Sequence, residues 1–184
     1  TEATFENFLG SDHNDSVTFD VIDDRTIEGG AGVNSAFATV QSTWEITATD
    51  AGNVGGSEKV TFSDFANLNG GDFDDTFVFT VTGVGITGEI DGGSGNDTVN
   101  YSAYTASNPV TVNLGLGTAT ATSGMSNVEN ITGGAGDDQL TGDDQANLLL
   151  GLGGDDDLSG EDGNDNLSGG SGDDVLQGDA GNDF

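Results

Sequence analysis

The sequence predicts an all-β chain wound as a right-handed parallel β-solenoid, because it carries two registers of internal repeat and no helical period of useful length. The first register is a nonapeptide. From Gly133 the chain reads GGAGDDQLT, GDDQANLLL, GLGGDDDLS, GEDGNDNLS, GGSGDDVLQ and GDAGNDF. Position eight of each complete copy is aliphatic: Leu140, Leu149, Leu158, Leu167 and Leu176. Position six is an acid or amide: Asp138, Asn147, Asp156, Asp165, Asp174 and Asp183. An isolated copy at 92–100, GGSGNDTVN, sets Asp97 and Val99 in the same two places.

The second register is longer. FENFLGSDHNDSVTF (5–19), FANLNGGDFDDTFVF (65–79) and VENITGGAGDDQLTG (128–142) superpose at offsets of 60 and 63 residues, and IEGGAG (27–32) matches IDGGSG (90–95). Glycine turns therefore begin at 10, 29, 70, 92 and 133. DAGNVGG (50–56) and NLGLGTA (113–119) fall near the midpoints of the two long gaps, so a turn is expected every 18–22 residues. This divides the chain into an irregular part, 1–132, and a regular part, 133–184, continuous with it.

Element by element, strands are expected at STWEITAT (42–49), KVTF (59–62), TFVFTV (76–81) and PVTVNL (109–114), each with β-branched or aromatic alternation. Downstream, the triplet centred on each position eight makes a very short strand whose single apolar side chain turns inward. Ten Phe and one Trp, concentrated upstream, are expected to fill a wider core there.

Charge sets the chemistry. The chain has 33 Asp and Glu against 2 Lys and Arg, a formal net charge of -31. Two carboxylates about 4 Å apart repel by about 4 kcal/mol at an effective dielectric near 20, and a folded domain is stable by only about 5–15 kcal/mol. Without cations such a chain reads as disordered. Arg25 and Lys59 cannot form a phosphate-binding face, which excludes nucleic acid as a partner. There is no Cys, hence no disulfide or thiolate metal site, and no apolar run of membrane-spanning length. Residues 1–20 lack a signal-peptide pattern, and the last repeat stops before its aliphatic residue, as expected of a piece of a longer protein.

The GGxGxD hexapeptide tolerates positive φ and lets backbone carbonyls converge. Two nonapeptides make a coil of about 18 residues, which stacks like turns at about 4.8 Å. Acidic turns at that spacing require a cation between them, and Ca²⁺ prefers six to eight hard oxygen ligands.

Residues 92–100 and 133–184 resemble the RTX (repeats-in-toxin) calcium-binding nonapeptide family. The resemblance implies a bacterial protein exported by type I secretion, unfolded inside the cell and folded in external calcium. It implies several bound Ca²⁺ ions, held between stacked turns by position-six aspartates and by glycine-turn carbonyls. On this chain those are Asp75, Asp97, Asp138, Asp156, Asp165, Asp174 and Asp183, with Asn147 and Asp15 at less regular turns. The matching carbonyls belong to Gly71, Gly93, Gly95, Gly134, Gly136, Gly154, Gly163, Gly170, Gly172 and Gly181. One edge would stack turns 133–138, 151–156 and 169–174, and the other 142–147, 160–165 and 178–183. The upstream repeats are similar to the stalks of very large bacterial surface proteins.

Other signals point elsewhere only weakly. GVGITG (83–88) fits a dinucleotide-binding pattern, but nothing helical follows it, so it reads as a turn between strands. His13 is the only histidine and reads as an exposed loop residue. Thr118, Thr120 and Thr122 read as an ordinary exposed strand face, and five Asn-x-Ser/Thr triplets as turn residues. The expected function is therefore a non-enzymatic, secreted, calcium-binding spacer of an adhesin, matrix or surface-layer protein. The alternatives are the repeat region of a type I-secreted enzyme or toxin, and a carbohydrate- or mineral-binding face. Cell-surface glycans and neighbouring copies of the chain are the partners considered besides calcium.

Overall fold

In a computed structural model, residues 7–19, 25–55 and 59–184 are described. Phe5 and Glu6 of the first long repeat, and Gly56 of the 50–56 stretch, lie outside them. Among the described residues the chain is all-β, without helix, and its strands form one ten-stranded, two five-stranded and one two-stranded sheet.

In the regular region the chain alternates between two of these sheets. Asn130–Thr132, Leu148–Gly153 and Asn166–Ser171 pair side by side in parallel in the first sheet. Gln139–Thr141, Asp157–Ser159 and Val175–Gln177 do so in another. Strict register follows from the nine-residue repeat. Leu140 pairs with Leu158 and Leu158 with Leu176, while Ile131 pairs with Leu149 and Leu149 with Leu167. One inward residue per strand thus makes one continuous apolar column per sheet. Leu140, Leu149 and Leu158 are wholly buried, each contributing about 1.5–3 kcal/mol.

Upstream the first-sheet column continues with larger side chains, and a column in the other five-stranded sheet faces it. In the first sheet Trp44 pairs with Phe77, Phe77 with Val99 and Val99 with Ile131. The column opposite runs Val17, Ala36, Leu68, Ile90 and Met125. Trp44 stacks on Phe77 with ring centroids 6.0 Å apart, and Phe79 on Tyr101 at 4.7 Å. The Tyr101 hydroxyl, in a fully buried side chain, donates to the carbonyl of Thr120 at 2.6 Å.

The four strands expected from alternation appear as Thr43–Ala48, Lys59–Ser63, Thr76–Phe79 and Thr111–Asn113. The expected unbroken series of parallel turns does not. Most of the 50–56 stretch is a strand and not a turn: Ala51–Gly55 runs antiparallel to Thr43–Ala48 on one side and Lys59–Ser63 on the other. Its glycine serves packing, since a side chain on Gly52 would strike the Glu45 carbonyl and the Phe62 ring. The 113–119 stretch is a reversal, with Thr111–Asn113 antiparallel to Thr118–Ala119. GVGITG forms a turn running into the strand Ile86–Asp91. Thr120 and Thr122 are half-buried, and Thr122 donates to the Gly88 carbonyl, so the three threonines do not form a flat exposed array.

Replacing Phe77 by Ala removes the ring that joins Trp44 to Val99. Stability in saturating calcium is expected to fall by about 3–5 kcal/mol, read by denaturant unfolding.

Candidate metal centres between stacked turns

Each position-six residue except Asp183 immediately precedes a short strand, so strand register lines these residues up in columns. Thr98 pairs with Thr76, which sets Asp97 over Asp75. Gln139, Asp157 and Val175 pair in series, which stacks Asp138, Asp156 and Asp174. Leu148 pairs with Asn166, which sets Asn147 beside Asp165, and Asp183 continues that column.

A single hydrogen bond recurs down the columns. One carboxylate oxygen accepts the backbone N–H of the equivalent residue in the layer before it. Asp97 Oδ1 accepts from Asp75 (2.6 Å), Asp138 Oδ1 from Val110 (2.7 Å) and Asp156 Oδ1 from Asp138 (2.8 Å). Asp174 Oδ1 accepts from Asp156 (3.0 Å), Asp165 Oδ1 from Asn147 (2.8 Å) and Asp183 Oδ1 from Asp165 (3.0 Å). Asp75 Oδ1 likewise accepts from Ser42.

The second oxygen is the informative one. Oδ2 of Asp75, Asp97, Asp156 and Asp165 is buried and has no hydrogen-bond partner, in residues at most 1% exposed. At Asp138 the same oxygen accepts the N–H of Gly134 at 2.6 Å. Taking an uncompensated carboxylate out of water costs several kcal/mol, so four would exceed the stability of an ordinary domain. No Lys or Arg follows Lys59, which itself pairs with Glu45.

Other oxygens face the same gaps. A side chain on Gly151 would strike both Asp156 Oδ2 and the Gly169 carbonyl, and one on Gly70 both Asp75 Oδ2 and the Gly92 carbonyl. Position-one glycines therefore keep open a space bounded by oxygens, a role that sequence reading did not assign to them. Eight of the ten expected glycines have positive φ: Gly71, Gly93, Gly95, Gly154, Gly163, Gly170, Gly172 and Gly181. Gly154 shows why. At φ 111° a side chain on it would strike the Gly136 carbonyl, and one on Gly172 would strike the Gly154 carbonyl, so only glycine admits this stacking. Gly134 and Gly136 lack positive φ and instead lie against Tyr104 and Pro109.

Among the described residues no three His, Cys, Asp or Glu side chains gather as a metal-binding cluster. The donor set is one or two carboxylates plus main-chain carbonyls, all hard oxygen. That chemistry fits Ca²⁺, which supplies the missing positive charge and accepts variable oxygen geometry. The residues fit the ion.

Two turns are closed differently. Asn34 Nδ2 donates to the carbonyls of Gly30 (3.2 Å) and Asp64 (2.8 Å), and Asn147 Nδ2 to that of Glu129 (2.9 Å). An amide N–H there does by hydrogen bonding what a cation does at an aspartate. Asp15 has both carboxylate oxygens within reach of Ser11, with Oδ2 accepting its N–H at 2.7 Å. His13 is exposed.

A second ladder runs along the exterior, unmarked in the sequence reading. Asp137 Oδ1 accepts from the N–H of Asp155, and Asp155 Oδ1 from that of Asp173, both at 2.9 Å. Asn164 repeats this with Asn182 at 3.0 Å. Where position five is Asp or Asn it thus ties its layer to the next, opposite in direction to position six, whereas Ala146 interrupts the ladder.

Burial pushes the Asp75 carboxyl up to about 7, opposed by the Ser42 N–H and reinforced by the charges of Asp97 and Asp74. Burial likewise raises Asp97 to about 6, opposed by the Asp75 N–H and reinforced by Glu129, Asp74 and Asp91. Asp138, Asp156 and Asp165 are raised for the same leading reason. An acid raised on folding binds protons more tightly in the folded chain. Its contribution is complete below its unfolded value of 3.8 and is lost as pH rises through about 6 to 7. In chelator the folded fraction is therefore expected to rise as pH falls from about 7.5 to about 5, followed by circular dichroism. Gly151→Ala is expected to raise the calcium needed for folding, whereas Gly153→Ala, whose nearest neighbour is the Ser171 hydroxyl at 3.1 Å, leaves it nearly unchanged.

Comparison with known families agrees with this geometry. Residues 89–103, 123–158 and 150–184 match the family described as the RTX calcium-binding nonapeptide repeat (4 copies). No curated protein matches the chain. Among the described residues no helix is long and apolar enough to cross a membrane. The turns holding Asp97, Asp138, Asp156, Asp165, Asp174 and Asp183 all lie in matched segments, and over those segments this chain carries the calcium-binding repeats of the RTX family, a family of secreted proteins.

Proposed function

We propose that this calcium-binding repeat module is a spacer, folding and stiffening on export, within a secreted adhesin, matrix or surface-layer protein. The observation that carries the reading is the column of buried aspartates, each with one oxygen held by the neighbouring layer and, at four of them, the other unpartnered. The residues that would hold the ions are Asp75, Asp97, Asp138, Asp156, Asp165, Asp174 and Asp183, with carbonyls of the glycine turns. The winding is that of a right-handed solenoid, irregular over 1–132 and regular over 133–184, and the module has no catalytic role.

The mechanism is linkage. A ligand that binds only the folded form stabilises it by RT ln(1 + [L]/Kd). Sites of extracellular modules bind calcium at roughly 10⁻⁴–10⁻³ M. Such sites are empty at cytosolic calcium and filled outside, so one sequence serves an exportable chain and a stiff product. The apolar columns support a spacer, because every layer contacts only its neighbours and the stack lengthens without a change of design.

Calcium titration followed by circular dichroism tests this. The wild-type chain is expected to change from disordered to β-rich with rising calcium. Asp165→Ala and Asp174→Ala are expected to shift the midpoint to higher calcium. A wild-type chain equally folded in excess chelator at neutral pH and low salt counts against the reading.

A further inference from the structure

The first-sheet column contains one acid that the nonapeptide pattern does not mark. Thr98 pairs with Asn130 and Asn130 with Leu148, so the residues just before them, Asp97, Glu129 and Asn147, share one column. Glu129 ends the segment GMSNVE (124–129), which has no GGxGxD turn. Its Oε2 nevertheless accepts the N–H of Asp97 at 2.7 Å. That is the bond Asp97 Oδ1 accepts from Asp75 one layer earlier, at 2.6 Å.

The gap between these two layers points to a ligand independently of Glu129. Asp97 is fully buried, and its Oδ2 has no partner. That oxygen and the main-chain carbonyl of Asn127 both crowd the position that a side chain on Gly92 would occupy. Asp97 Oδ2, the Glu129 carboxylate and the Asn127 carbonyl thus come from adjacent layers of one stack. On its far side Glu129 is closed without charge, because Asn147 Nδ2 donates to its carbonyl at 2.9 Å.

We propose that Glu129 is a metal ligand, forming with Asp97 and the Asn127 carbonyl a site for a hard divalent cation, calcium, outside the nonapeptide pattern. The site joins layers 32 residues apart and so closes the loop containing the antiparallel reversal at 111–119. Calcium suits it because coordination at 2.3–2.6 Å tolerates a mixed set of carboxylate and carbonyl donors, whereas the smaller magnesium ion demands near-octahedral geometry. The proposal rests on the calcium reading above.

The test counts ions by native mass spectrometry in the whole chain, with a calcium titration alongside. Glu129→Gln keeps the acceptor for the Asp97 N–H and removes the charge. It is expected to bind one ion fewer than wild type and to need several-fold more calcium to fold. Glu89→Gln, on an exposed strand position, makes the same charge change and is expected to keep the wild-type count. An unchanged count in Glu129→Gln overturns the proposal and leaves the calcium reading standing. A wild-type chain that binds no calcium overturns both. Wild type labelled with ¹³C in its glutamate carboxyl groups provides a readout that does not depend on the variant folding. In the calcium-folded chain, partial exchange of calcium for a paramagnetic lanthanide is expected to broaden the Glu129 signal beyond that of Glu89, and a Glu129 signal broadened no more than that of Glu89 overturns the proposal.

Discussion

A buried carboxylate with one oxygen satisfied and the other bare is the constraint on which this structure turns. The N–H bond to Oδ1 holds each aspartate inward, where water cannot screen it, and so aims Oδ2 into the gap between layers. Such an arrangement is untenable for an isolated polypeptide with no cation after Lys59. It becomes stable when a divalent ion joins adjacent layers, because the ion's charge is then shared among carboxylates and carbonyls already turned towards it.

The rest of the fold serves that arrangement. In the regular region, columns of one apolar residue per strand give each layer enough core to stack but little to stand alone. Glycine at positions one, two and four admits close carbonyl approach, as at Gly151 and Gly154. Where the chain does without an acid in the column, an amide takes over, as at Asn34 and Asn147. The stack therefore contains joints held by hydrogen bonds alone among joints designed around charge. The aromatic packing of Trp44, Phe62 and Phe77 sits near the Asn34 joint in sequence, in the part of the chain with the fewest acid turns. Large buried aromatic side chains are concentrated in that part, whereas the buried position-six aspartates recur most regularly at the other end.

Much of this was legible from residue order. A period of nine with Leu at position eight and Asp at position six dictates parallel register, because a slip of one residue would turn Leu158 outward and Asp156 out of its column. The partners of Asp156 and Asp165 follow from that period alone. Two features did not. The strand Ala51–Gly55 was hidden because its glycines read as turn formers, whereas Gly52 is there to admit the Glu45 carbonyl and the Phe62 ring. Glu129 was hidden because its place in the column comes from the pairing of Asn130 with Thr98 across an irregular excursion, not from any local motif.

Sequence alone determined that the chain is β, repetitive and strongly acidic, since charge balance and periodicity are properties of the chain before it folds. Only the tertiary structure decided which oxygen of each aspartate is spent on the neighbouring layer and which is left for an ion. It also decided where an asparagine closes a gap without one. Those choices depend on the direction of each N–H and carbonyl between stacked strands, which no count of residues contains.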